Sequence, residues 1–385
     1  MSLSLTCFLI VIALAIVYVY LNYIRKADKP TYSTQQQKEI RSFTQLLNNQ
    51  GKIVTEGWAR RPYFNYYRKM IKGNPLFIKE WDYYLTFSQK QGIAIAVTIS
   101  DLTYGGLMAI AFIDLKTGEV FQTDTIKLLT LGKLGLSRTS IEDNVVAFED
   151  KKIKIRFEKK GTQRFIHMKA PELKIRNETG FEANLSLVQD EDLESMNIAT
   201  SWLNNRTYFY LNEKVVGMET KGEFIFGNNK NEIEDDALTI LDWGRGKWTY
   251  SNNWYWSAAE GYVDGVRFGF TFGYGFSDRS PATENVLIYG NKVHKIDIVN
   301  FNIPLKEDRK TRDYMKPWKF TSNDNSIDFD FVPIVDRSSL INLLIIYSNQ
   351  HQVFGKFSGK ARLNDGKEII IKDFYGFAED VFNCY

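Results

Sequence analysis

The run 152-KIKIRFE-158 sets Ile153, Ile155 and Phe157 against Lys152, Lys154, Arg156 and Glu158. Successive side chains of a strand point to opposite faces, so strict alternation of apolar and charged residues marks a strand with one face buried and one in water. The same period returns in 81-WDYYLTFS-88, which places Trp81, Tyr83, Leu85 and Phe87 on one side. It returns again in 181-FEANLSL-187, with Phe181, Ala183, Leu185 and Leu187 together. Turn signals punctuate these runs at Lys116-Thr117-Gly118, Lys160-Gly161, Asp264-Gly265 and Asn364-Asp365-Gly366. Many short strands at this spacing predict antiparallel sheets closed into barrels. The chain is too long for one small barrel, so the reading is mainly β, with two tandem antiparallel β-barrels. The seam is expected between Asn212 and Phe224, and one later helix around Asn231 to Ile240.

The N-terminus reads differently. Leu3 to Ile24 carries no charge and is long enough to cross a bilayer as one helix. Tyr18, Tyr20 and Tyr23 lie toward its C-terminal end, where interfacial aromatics belong. No Lys or Arg precedes the run and no small-residue cleavage site follows it, which argues for a retained anchor over a signal peptide. Arg25, Lys26 and Lys29 follow, placing the large remainder on the cytoplasmic or matrix side. Ser33 to Asn49 reads as an amphipathic helix with Ile40, Phe43, Leu46 and Leu47 on one face and Gly51 as its stop. The expected division is therefore 1–27 transmembrane anchor, 28–51 helical linker, 52–215 first barrel and 216–385 second barrel.

Composition removes several functions. Across 385 residues the net charge is only +3, and neither sign forms a long run, which disfavours nucleic acid as a partner. The two cysteines, Cys7 and Cys384, stand at opposite ends, and the three histidines are far apart, so no metal site is expected. No hydrolase nucleophile motif and no phosphate-binding loop occurs. No cofactor is expected.

The stretch 242-DWGRGKWTYSNNWYWSAAEGYVDG-265 holds four of the eight tryptophans, Trp243, Trp248, Trp254 and Trp256. It is expected to start the second barrel and close its end. Large rigid side chains such as Trp243, Trp254 and Trp256 suit an apolar ligand cavity, and equally suit a filled barrel. Arg245 could hold an anionic head group at a cavity mouth. The preferred alternative is structural, with Gly244 and Gly246 in a tight turn and Arg245 paired to Asp242 or capping the barrel end. Downstream, 272-FGYGFSDRSPATEN-285 lacks the third glycine of a dinucleotide loop, and Ser280-Pro281 argues against the helix that a phosphate needs. It reads as a loop across a barrel mouth or a pocket wall, with Tyr274 and Asn285 as ligand contacts. Asp264, Asp278, Glu284 and His294 are the acid/base candidates, each with a structural role as the alternative. His351 is a further possible proton carrier, and His167 reads as a surface residue.

Six ordered blocks, WARRP (58–62), KEWDYY (79–84), LDWGRGKWTYSNNWYW (241–256), DGVRFGFTFGYGFSDRSPATEN (264–285), YGNKVHKI (289–296) and HQVFGKFSGKARLNDG (351–366) followed by GFAE (376–379), resemble the family catalogued as domain of unknown function 2804. The resemblance runs from about Trp58 to Tyr385. Members are mostly bacterial and soluble, so an anchor is a departure. The family is similar to tandem lipocalin-like proteins, among them carotenoid hydratases, tocopherol cyclases and ceramide-binding survival proteins. That likeness implies two lipocalin-like barrels side by side, and a fold alone does not assign an activity.

Three functions follow as expectations. The first is a single-pass, membrane-tethered protein binding a lipid or isoprenoid-like apolar ligand, in the mitochondrial inner membrane or an endomembrane. The second is an accessory subunit of a large membrane complex, packed against integral membrane partners. The third is a hydratase or cyclase acting on an isoprenoid. Binding is favoured over catalysis.

Overall fold

Trp81 to Ser88 belongs to a strand, Ile78–Ser88, that is buried on both faces. Tyr84 turns to one hydrophobic core, while Leu85 and Phe87 turn to another. A strand buried twice must lie between two layers, and that double burial organises the molecule. The computed structural model describes residues 3–24, 37–343 and 345–385.

Two curled antiparallel half-barrel sheets make up the body. The first has thirteen strands, its main path running Glu119–Leu128, Gly105–Asp114, Ile93–Asp101, Ile78–Ser88, Leu238–Lys247, Asn205–Phe226, Glu178–Val188, Gln163–Ile175, Lys154–Lys160 and Asn144–Glu149. The second has nine, from Lys292–Lys295 through Val286–Tyr289, Val266–Tyr274, Ser251–Val263, Glu368–Cys384, Tyr347–Arg362, Ile327–Asn342 and Trp318–Ser322 to Val299–Asn302. The concave side of the first sheet is packed by residues such as Phe112, Phe157, Phe181 and Phe224. That of the second is packed by Phe270, Phe272, Phe320, Phe329 and Phe357. A third core, containing Phe87, Met196, Trp256, Phe354 and Phe377, lies between the sheets.

The alternating runs form strands as expected: Ile155 and Phe157 are buried in Lys154–Lys160, and Phe181, Ala183, Leu185 and Leu187 in Glu178–Val188. Gly118, Gly161, Gly265 and Gly366 all take positive φ in turns.

Other expectations are corrected. The expected linker helix is absent from 37–49. Thr44–Gln45 instead pairs with Phe64–Asn65, and the backbone N–H of Ile40 donates to the Trp58 carbonyl at 2.7 Å. Leu46 and Leu47 are buried, so pairing and burial with the body outweigh a local helical pattern. Residues 33–36 of that reading lie outside the described residues. The helix expected around Asn231 to Ile240 is likewise absent. Asn229–Glu232 forms a hairpin with the end of Asn205–Phe226, and Leu238–Lys247 is a fully buried strand.

The expected seam at 212–224 falls within the 22-residue strand Asn205–Phe226. Gly217 (φ +92°) and Gly222 (φ +145°) bend that strand without ending it. The chain passes from one sheet to the other at 248–250, after the strand Leu238–Lys247 and before Ser251–Val263.

At the N-terminus, Leu3–Ile24 is one α-helix of 22 residues. Among the described residues no helix is long and apolar enough to cross a membrane, so the expected span finds no support in the fold.

Candidate functional site

The tryptophan-rich stretch is the crossover between the sheets, and strand alternation sends its side chains to different places. On Leu238–Lys247, Leu241 and Trp243 face the core of the first sheet, while Ile240 faces the second sheet. On Ser251–Val263, Trp254 and Trp256 face the first sheet. Tyr255 turns the other way, stacking on Tyr274 with ring centres 4.5 Å apart.

Between the sheets lies a cavity of about 570 Å³. One wall is aromatic: Trp81 stacks on Tyr210 at 6.4 Å, Trp248 meets Trp81 edge-on at 5.4 Å, and Phe276 lies 4.6 Å from Trp248. Trp254 and Trp256 complete it. Gly244 is required here, because a Cβ at that position would lie 2.0 Å from the Trp81 ring. Exposed Asp124, Ile126, Ser338 and Ile341 line the cavity's outer end, so it opens there. Lys214, Asp242 and Glu284, all buried, line its floor.

The floor is a charge-balanced quartet. Lys214 Nζ lies 3.0 Å from Asp242 Oδ1 and 3.9 Å from Glu284 Oε2. The same ammonium sits 3.9 Å from the centre of the Trp256 ring. Arg279 Nη1 lies 2.7 Å from Glu284 Oε1. Asn212 donates to Asp242 at 2.6 Å, and the Tyr210 hydroxyl donates to Glu284 at 3.3 Å. Two cations against two carboxylates make burial of the set tolerable.

Glu379 stands apart from this quartet. Its hydrogen-bond donors are both neutral, Gln352 Nε2 at 2.6 Å and Trp254 Nε1 at 3.3 Å. Burial pushes its carboxyl up to about 7, against the opposing pull of those donors and of Lys214. It keeps some solvent exposure because it faces the cavity, yet protein surrounds it on all other sides, and that enclosure governs its protonation. A polar relay joins it to the mouth. Arg337 donates to Gln352 Oε1 at 2.7 Å and to Gln122 Oε1 at 2.6 Å. At another corner, burial lowers Lys79 to about 7, its ammonium lying 4.4 and 4.8 Å from the Tyr104 and Tyr385 rings.

The residues singled out in the sequence are dispersed. Trp254, Trp256 and Glu284 line the cavity. Trp243 and Arg245 do not: Arg245 is fully buried, 4.1 Å over the Trp243 ring. Its ion-pair partner is Asp82 at 2.9 Å, in place of the expected Asp242, and it also donates to the Trp81 and Ser137 carbonyls. Tyr274 packs inside the second sheet. Asn285 ties a loop, accepting from the Gly273 N–H at 2.9 Å and donating to the Asp297 carbonyl at 2.8 Å. Asp278 is 3.1 Å from Arg206 Nη2, and Asp264 is exposed in a turn. His294 accepts from the Asn364 N–H at 3.2 Å, away from the cavity. His351 meets Asp336 at 2.7 Å and stacks on Tyr314, and His167 meets Asn184 at 2.8 Å.

Sequence reasoning missed Lys214, Gln352, Arg337 and Glu379. Glu379 and Gln352 stood within quoted blocks, and a lone acid in the apolar strand segment 376-GFAE-379 is the signal that was available.

No curated protein matches the chain. Solved structures similar to it include a putative AttH from Nitrosomonas europaea (11% identity, 80% of this chain and 93% of that chain covered, TM-score 0.48). They also include CghA with Sch210972 (7%, 80% and 88%, 0.49) and kievitone hydratase from Nectria haematococca (11%, 80% and 88%, 0.42). At these identities and scores they say nothing about chemistry here. The family match is of another kind, since the model for the domain of unknown function DUF2804 covers residues 37–385 from strand to strand across both sheets, and the chain belongs to that family.

Proposed function

We propose that this protein binds an apolar, isoprenoid-like molecule in the cavity between its two sheets and that Glu379 acts on it as a general acid. The carrying observation is a half-buried carboxyl, hydrogen-bonded by neutral donors only, facing an aromatic-walled cavity. Such an acid is partly neutral at physiological pH, the state needed to protonate an alkene. The proton passes from Glu379 to one alkene carbon, leaving a carbocation at the other. The indole face of Trp254 stabilises that cation, the Trp256 ring already carrying the Lys214 ammonium. Water or an internal double bond closes onto it, and the proton lost returns to the Glu379 carboxylate, so hydration or cyclisation needs no further reactant.

The test begins with mass spectrometry of apolar molecules released from purified protein, followed by turnover assays on those compounds. Glu379→Gln should retain the bound molecule and lose turnover by two orders of magnitude or more. Retained turnover in that variant removes Glu379 from the chemistry, and an empty cavity over a broad isoprenoid panel removes the binding reading as well.

Membrane tethering by Leu3–Ile24 belongs to the same proposal on the sequence alone, where the run is uncharged and followed by Arg25, Lys26 and Lys29; the fold adds no support to it. Alkaline carbonate extraction checks it, since a tethered chain stays with the membrane and a peripheral one is released.

A further inference from the structure

The cavity opens between two tips, one from each sheet. From the Gln122–Arg337 hydrogen bond that joins the sheets, the strand Glu119–Leu128 runs outward through Ile126 and Leu128 to Leu129. The strand Ile327–Asn342 runs outward through Leu340 toward Leu343 and Ile345. All six of these aliphatic side chains are exposed, Leu128 at 74% and Leu340 at 66%. Ile126 and, beside Leu340, Ile341 also line the cavity. Two aliphatic prongs flanking the entrance to an apolar chamber are not what a surface left in water requires.

The charge pattern selects the partner. From Thr125 to Ile141 the chain carries Lys127, Lys133 and Arg138 and no carboxylate. From Ser338 to Gln350 it carries no charge at all. Arg138 is held by Glu142 and exposed Asp124 stands at the inner end of the first tip, so it is the exposed Lys127 and Lys133, set beside the aliphatics, that fit the interface of an anionic bilayer.

We infer that the two tips insert into an anionic lipid surface, placing the cavity mouth against the bilayer so that an apolar ligand enters from the membrane without crossing water. The insertion is independent of the chemistry assigned to Glu379. It is also separable from any anchoring by Leu3–Ile24, because it is read at the tips themselves.

The experiment is hydrogen exchange of the full chain, alone and with phosphatidylcholine vesicles with or without phosphatidylserine. Peptides covering 126–131 and 340–345 should gain protection on phosphatidylserine vesicles and lose that gain at high salt. The variant Leu128→Ser/Leu129→Ser/Leu343→Ser should lose the tip protection while its strands exchange as in the parent, and should weaken vesicle binding of the tips about tenfold or more. Vesicle-bound protein whose tips exchange as they do in solution overturns the proposal, since another segment then holds the membrane. Tips already protected without vesicles, in a concentration-dependent way, overturn it in favour of an interface between copies.

Discussion

Arg245 and Lys214 are both buried cations, and the difference between them shows what each site is for. Arg245 is saturated by Asp82 and backbone carbonyls, with no face left toward a cavity. Removing one partner of a buried pair leaves an uncompensated charge, so Arg245→Met should cost ~3–5 kcal/mol in chemical denaturation and leave ligand retention per folded molecule unchanged. Glu379 makes a prediction about pH. Burial lifts its folded-state value from the ordinary 4.5 to about 7. Its contribution to stability is therefore complete below the unfolded value and is lost as pH rises through about 7. Glu379→Gln stays neutral throughout. The melting temperature of the variant minus that of the parent should rise between pH 5 and pH 8, by the equivalent of ~1–3 kcal/mol. A difference independent of pH would mean that Glu379 titrates as an ordinary carboxylate.

At the scale of the element, the strands with full alternation were legible and the segments without it were not. Lys154–Lys160 and Glu178–Val188 have one wet face, so their period of two survives in the sequence. Leu238–Lys247 is buried on both faces and carries Asp242 and Arg245, so it shows no period. Residues 37–49 carry helix-like spacing but give their backbone groups to neighbouring segments. Gly244 marks a close approach in the doubly buried strand. Gly244→Ala would push a Cβ into Trp81, and should cost ~1–3 kcal/mol and shift the tryptophan emission of the cavity wall. An unchanged spectrum and unchanged stability would show that Trp81 can move aside freely.

For the whole molecule, the core between the sheets couples the two halves. Residues 37–249 and 250–385, expressed separately, would each expose the face that Phe87, Trp256, Phe354 and Phe377 now share. Each half alone should aggregate or remain expanded in size-exclusion chromatography, and co-expression should restore a soluble pair. Independent folding of either half would show that the shared face is an ordinary interdomain contact.

Period and turn residues determined by themselves that this chain is mainly β, because side-chain alternation is a local property of a half-buried strand. Six short blocks determined its family. Tertiary structure alone decided where one sheet gives way to the other, since the strand through the expected seam bends at Gly217 and Gly222 and continues to Phe226. It alone decided that Arg245 belongs to Asp82, 163 residues away, and that Lys214, Asp242, Glu284 and Glu379 share one cavity. Convergence of that kind depends on which strands lie side by side, and no local pattern of residues encodes it.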